Sequence, residues 1–338
     1  MNCAVSCAPS RNAGKGWRGG LVCSRSNGGH AKRRLKWGVI SAACALFFIP
    51  SSSHTLASRQ RAVGFAIWLS LGALPAWAAP ERIFLDEMTS AEVRAALKDG
   101  KTTIIIPVGG TEQTGPHVAL GKHNIRVKAL SGKVAEALGN ALVAPVVAYV
   151  PEGNIDPPTG HMRFAGTISV PESAFKSILE GAARSLRQHG FLNIVLVGDH
   201  GGYQGALKAV AANLNREWGQ TVSTPTSKST PASDPARAHF ISEYYAATQT
   251  TYIKALRAKG LSDFQIGVHG GAADTALSLA IDPAMVRPEL FAIAAQEGPS
   301  GGTVGDPKLA TAVLGQLGVD AVVSETVLAI RRAVRPLK

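Results

Sequence analysis

No cysteine follows Cys44: all four, Cys3, Cys7, Cys23 and Cys44, fall near the start of this 338-residue chain. The remainder can form no disulfide and offers no thiolate to a metal, so a metal site there must be built from His and carboxylate side chains. Acidic residues are missing over a longer stretch. Residues 1–78 carry ten Lys and Arg and no Asp or Glu, against twenty-five basic and twenty-three acidic side chains over 79–338, so the formal charge of +12 belongs mostly to the leader. Residues 79–338 are nearly neutral, which argues against a nucleic-acid partner. No internal repeat is found, and no later membrane span is expected.

The leader has its own pattern. In "RQRAVGFAIWLSLGALPAWAAP" Arg59 and Arg61 precede an apolar core near residues 62–74, and Ala76-Trp77-Ala78 gives a small-x-small ending. This is the form of a cleaved secretory signal, with cleavage expected after Ala78 and export to a compartment such as the periplasm. An uncleaved anchor fits less well, because spanning a bilayer takes about 20 apolar residues. A second apolar run, "WGVISAACALFFI", follows "AKRRLK" at 31–36. Arg33-Arg34 reads either as a twin-arginine address or as a plain basic start to that run.

Residues 79–338 suffice for one large α/β domain. "MTSAEVRAALKDG" reads as a short helix with Thr89 and Glu92 in capping-box spacing. "TTIIIPVGG" is a β-branched run of the kind buried on both faces of a sheet, and "NIVLVGDHGG" repeats it. Helices are expected over 124–139, after a second capping box at Ser169 and Glu172, over "QGALKAVAANLNREW" and "ISEYYAATQTTYIKALRAKG", in the stretch containing Asp274, and over 307–316 and 321–333. "LVAPVVAYV" reads as a strand, and the Ser/Thr/Pro-rich 219–238 as a flexible loop. Alternating strands and helices predict a three-layer α/β/α sandwich around a mostly parallel sheet, with ligands beyond the carboxyl ends of the strands.

Three strand-to-loop junctions deliver chemistry beside glycines: "GGTEQTGPHVALGKHN" at 109–124, "GDHGG" at 198–202 and "VHGG" at 268–271. Glycine lets backbone approach a ligand closely and adopt positive φ. One loop histidine is ordinary; three such junctions at one sheet edge predict a site. Asp199 reads two ways, as a carboxylate orienting a neighbouring imidazole or as a helix N-cap.

These segments resemble the creatininase family of metal-dependent amidohydrolases. "PVGGTEQTGPHVALGKHN", "GHMRFAGTIS", "GDHGG" and "VHGGAADTA" are similar, in order, to that family's motif blocks, over about residues 84–330. The resemblance implies a metal held by Glu112, His123 and His200. His123 stands where dinuclear members have a bridging Asp, while Thr114 and Gly202 replace the two private ligands of the second ion. One carboxylate and two imidazoles suit a single divalent ion, Zn²⁺ foremost, with Mn²⁺ and Fe²⁺ also served by such donors.

The resemblance also implies that His269 transfers a proton to the leaving nitrogen with Asp274 in support, although Asp274 also fits as a first-turn helix acid. His117 is placed just outside the ligands or against substrate, and His161 near the pocket. The expected function is metal-dependent hydrolysis of a non-peptide or cyclic amide C–N bond in a small-molecule substrate. Alternatives are a non-catalytic exported metal or ligand binder and a peptide-processing hydrolase. A homo-oligomer, a hexamer by resemblance, is the expected assembly.

Overall fold

A computed structural model of the chain describes residues 82–221 and 236–334. The leader, its cleavage point after Ala78 and most of the 219–238 loop lie outside the described residues.

In chain order the elements are α1 (Ser90–Lys98), β1 (Thr103–Val108), α2 (Lys122–Leu138), β2 (Ala141–Val143), α3 (Glu172–Gln188), β3 (Asn193–Gly198), α4 (Gln204–Thr221) and β4 (Arg237–Phe240). They continue as α5 (Glu243–Gln249), α6 (Thr251–Ala258), α7 (Asp263–Ile266), α8 (Ala272–Ile281), α9 (Phe291–Glu297) and α10 (Ala312–Ala333). The four strands form one parallel sheet in the order β2-β1-β3-β4.

Residue parity in the two central strands builds the three layers, because successive side chains point to opposite faces of a strand. Ile105, Val195 and Val197 pack in one core with Val127, Leu130, Tyr252, Leu277 and Ile330, from α2, α6, α8 and α10. Ile104, Ile106, Ile194 and Leu196 pack in the other with Phe175, Leu179, Leu207 and Leu214, from α3 and α4. Each fully buried Ile or Leu contributes about 1.5–3 kcal/mol of transfer free energy. β1 is buried at all six positions, as its unbroken apolar run requires.

Several elements differ from expectation for local reasons. The Thr89–Glu92 capping box forms, but α3 is capped at Pro171 without a side-chain bond. Ser169 instead accepts from the Glu152 amide at 3.0 Å and donates to Gly153 O at 2.6 Å. The strand expected over "LVAPVVAYV" pairs continuously only at 141–143 and returns as a single bridge between Val147 and Val108. The helix expected after residue 240 is two, separated at Thr250. The helix expected at 307–316 and the one at 321–333 are a single helix, α10, preceded by a 3₁₀ turn at Pro307–Leu309. β4 takes residues that read as loop: Arg237 and Ala238 pair in parallel with Asn193 and Ile194.

α10 has the length and apolarity of a membrane span, yet half of that window is buried inside the protein. It is a core helix, packed on α8, α5 and α2.

Candidate active site

The chain steps from β1 outward in both directions, to β2 on one side and to β3 on the other, so a crevice opens between the carboxyl ends of β1 and β3. Tyr203 joins these ends: its hydroxyl accepts from the His200 amide at 3.1 Å and donates to Gly109 O at 2.5 Å. The loop after β1 carries Glu112, and the turn after β3 carries Asp199 and His200. Gly110, at φ +148°, would place any Cβ 2.7 Å from Glu152 Oε1, so a side chain there would intrude on the site.

Glu152 is a site residue that the sequence reading missed. It follows Val150 in the extended continuation of β2 and is 4 % exposed. The segment 164–170 ties its loop to that of Glu112: the Ile168 amide donates to Thr111 O at 2.9 Å, Thr167 Oγ1 accepts from the Gln113 amide at 3.1 Å, and Ser169 holds Glu152. "GHMRFAGTIS" thus clamps two acid-bearing loops side by side.

Glu112, Glu152, His161 and His200 converge, with one donor atom from each lying within 4.8 Å of the others. Glu112 Oε2, both Glu152 oxygens and His200 Nδ1 are buried without a hydrogen-bond partner. Buried carboxylate oxygens left unpaired are costly unless a cation or proton satisfies them. Burial, and after it the neighbouring Glu112 charge, pushes the Glu152 carboxyl up to about 9. Burial acts the same way on Glu112, but the Lys122 ammonium, followed by His123 and His200, overcomes it and holds that carboxyl below the usual range. Burial depresses His200 to about 3, leaving a neutral imidazole with free lone-pair capacity. The orphaned atoms fit a divalent cation among Glu112, Glu152 and His200.

His123, at the start of α2, directs Nε2 at Glu112 Oε1 (2.7 Å) and Nδ1 at Asp199 Oδ2 (2.6 Å). Both partners are carboxylate oxygens, which accept, so Nε2 as well as Nδ1 donates here; Nε2 would bind an ion only in place of its bond to Glu112, with Asp199 keeping the Nδ1 proton. Asp199 is not an N-cap, since His200 caps the following turn. Arg126 and the Tyr244 hydroxyl hold Asp199 at 2.6 and 3.1 Å.

Gln113 sets the protons on the two rim histidines. Its Oε1 accepts from the Gly115 amide, so its NH₂ faces His161 Nδ1 at 3.1 Å. His161 Nδ1 therefore accepts, and its own proton sits on Nε2, 3.2 Å from Glu112 Oε2. His161 Nε2 and Glu112 Oε2 face each other without a hydrogen bond between them, and His161 remains one of the four converging donor residues. The shorter contact of His269 Nε2 is to Gln113 O at 2.9 Å, so Nε2 donates and Nδ1 is left bare, 3.8 Å from Glu112 Oε1. Burial holds His269 down at about 4 and lowers His161 as well.

Asp274 reaches His269 only through backbone, accepting from the Gly270 amide at 3.1 Å. Its other partners are Lys122 Nζ at 2.6 Å and Arg126 Nη1 at 2.5 Å. His117 is fully buried and does not line the cavity. Its Nε2 meets Thr275 Oγ1 at 2.9 Å, and that hydroxyl donates to Gly270 O, so His117 braces the turn carrying His269. Gly270, at φ +66°, makes that turn possible. The cavity above these groups measures about 730 Å³ and is also walled by Phe164, Tyr245, Ile253 and Val268.

Comparison with known proteins agrees with this layout. The creatininase family, described as creatinine amidohydrolase, matches residues 86–330. The mycofactocin precursor peptide peptidase of Mycobacterium tuberculosis is 30 % identical over 239 residues, covering 68 % of this chain and 85 % of that protein. The peptidase of the same name from Mycolicibacterium smegmatis is 37 % identical over 119 residues, covering 34 % of this chain and less than half, 45 %, of the relative. The creatinine amidohydrolase of Pseudomonas putida is 25 % identical over 268 residues, 75 % of this chain and 98 % of that one. Among solved structures, a manganese creatininase superposes with a TM-score of 0.61 at 24 % identity, covering 76 % of this chain and all of the other. A mutant creatininase of Zn-Zn type gives 0.60 at the same identity and coverage. These structures share the parallel sheet and flanking helices, and with the family match spanning most of the residues, the chain belongs to the creatininase family of hydrolases.

Proposed function

We propose that the protein hydrolyses an amide C–N bond with one divalent metal ion, Zn²⁺ foremost and Mn²⁺ or Fe²⁺ as alternatives. The observation that carries this reading is the convergence of unpartnered buried donor atoms on Glu112, Glu152 and His200. Glu112, Glu152, His123 and His200 would hold the ion, which supplies a Lewis acid for the substrate carbonyl and makes water acidic enough to ionise near pH 7.

His269 is the proton carrier. With Nε2 donating to Gln113 O and the ring neutral, its Nδ1 takes a proton from the attacking water and passes it to the leaving nitrogen. His161 stands 3.2 Å from Glu112 Oε2 at the mouth of the site and is a further candidate donor to the ion. A positioned free base beside the metal donors favours an enzyme over a binding protein.

The substrate reading is a non-peptide or cyclic amide. A peptide is the second reading, supported by a cavity of about 730 Å³, roomy for a single small ring, and by the named activity of the mycobacterial relatives. The test is turnover of a panel of cyclic amides and short peptides by metal-loaded and chelator-stripped protein. Loss of all turnover on stripping and its return with metal is expected; equal activity of both forms would refute the proposal.

We also propose export with removal of residues 1–78. N-terminal sequencing of protein from the exported fraction should begin at Ala79, and an intact leader on cytoplasmic protein would contradict this.

A further inference from the structure

Lys122 is the buried cation that the proposed function leaves without a role. It is 1 % exposed, and its ammonium lies 3.3 Å from Glu112 Oε1 and 2.6 Å from Asp274 Oδ2. Taking an ammonium out of water costs several kcal/mol unless carboxylates compensate it. Here they do, but one of them, Glu112, turns its other oxygen toward the proposed ion. Glu112 is therefore shared between two positive charges, one on each oxygen.

The charge count is consistent with this. Glu112, Glu152, Asp199 and Asp274 form one connected cluster with Lys122 and Arg126, so that two carboxylates are in excess once Glu152 gives up its proton. One divalent ion balances two. The place of the Lys122 ammonium lies between two carboxylate oxygens able to bind a cation, Glu112 Oε1 and Asp274 Oδ2. Arg126 does not compete for it, because its guanidinium is engaged by Asp199 and by the other oxygen of Asp274.

We propose that the Lys122 ammonium is a tethered cation in a second cation position of this site, so that the chain binds one divalent ion where the donors alone would accept two. The inference rests on reading Glu112, Glu152 and His200 as metal-binding. Lys122 is accordingly a residue that sets metal number. It also screens Asp274 and Glu112 from each other, which keeps the turn after Gly270 docked on α2.

The test is the number of Mn²⁺ ions bound per chain by titration and metal analysis, with the paramagnetic resonance spectrum of the loaded protein as a second readout. Wild type, Lys122→Thr and Lys122→Gln are compared, and circular dichroism confirms that each is folded. Wild type should bind one ion with the spectrum of an isolated Mn²⁺. Lys122→Thr should bind two, with a spin-coupled spectrum, and Lys122→Gln, which removes the charge and is shorter by one atom while staying polar, should also admit the second.

Two ions in the wild type would overturn the inference while leaving the metal reading intact. No ion in the wild type would overturn both. A folded Lys122→Thr or Lys122→Gln that still binds a single ion would show that Lys122 only braces Asp274. The wild-type count alone keeps the inference open to refutation if both variants fail to fold.

Discussion

His161 and His269 stand 4.6 Å apart ring to ring, yet Gln113 gives them opposite proton placements toward Glu112. His161 presents an N–H and His269 presents a lone pair. Replacing His269 by Ala should leave bound metal unchanged and lower kcat by roughly 10²- to 10⁴-fold, the range for losing a proton-transfer group. Metal analysis beside steady-state kinetics checks this, and loss of the ion would instead make His269 a ligand. At this scale the sequence was legible where a functional residue sat close to glycines after a buried strand, as Glu112 and His200 do; the junction expected before His269 is not a strand end, since that residue follows α7 and makes only a single bridge to Val304. Glu152 escaped because "VPEGNIDPP" looks like turn-rich loop. The signal available was that it too follows an apolar run and precedes a glycine. Lys122 escaped because lysine is ordinarily a surface residue, and only the folded chain shows three carboxylate-bearing elements closing over the start of α2.

The elements show why composition misled in places. One helix was expected to end at 316 and another to begin at 321, yet Gly315 and Gly318 both lie inside α10, whose backbone presses on its neighbours. A Cβ on Gly315 would lie 1.9 Å from Ala276 O, and one on Gly318 would lie 3.0 Å from the Tyr252 ring. Elsewhere Gly→Ala in a helix gains up to about 1 kcal/mol in propensity. Here the overlap with backbone should outweigh it, so Gly315→Ala is expected to destabilise by about 1–3 kcal/mol, read as a lower Tm in thermal unfolding. An unchanged or raised Tm would mean that α8 and α10 can separate freely. Ser169 misled in the opposite sense: it sits in N-cap spacing with Glu172, but the amide of Glu152 and the carbonyl of Gly153 claim its hydroxyl. The local motif lost to a long-range contact, which sequence spacing cannot reveal.

For the whole molecule, the buried-strand pattern was sufficient. β1 and β3, apolar at nearly every position, require cover on both faces, and that requirement alone implies the three layers observed. The site then arises from topology, since the carboxyl ends of β1 and β3 meet where the sheet order reverses, and loops far apart in sequence converge there. The account's central claim is that this convergence holds one divalent ion. Its most direct test is metal analysis of purified wild-type protein with Glu112→Gln and Glu152→Gln. The account predicts one ion per chain in the wild type and less than about a tenth of that in each variant, since removing a charged donor leaves the remaining ligands too few to hold it. Full metal retention in either variant, or none in the wild type, would contradict it.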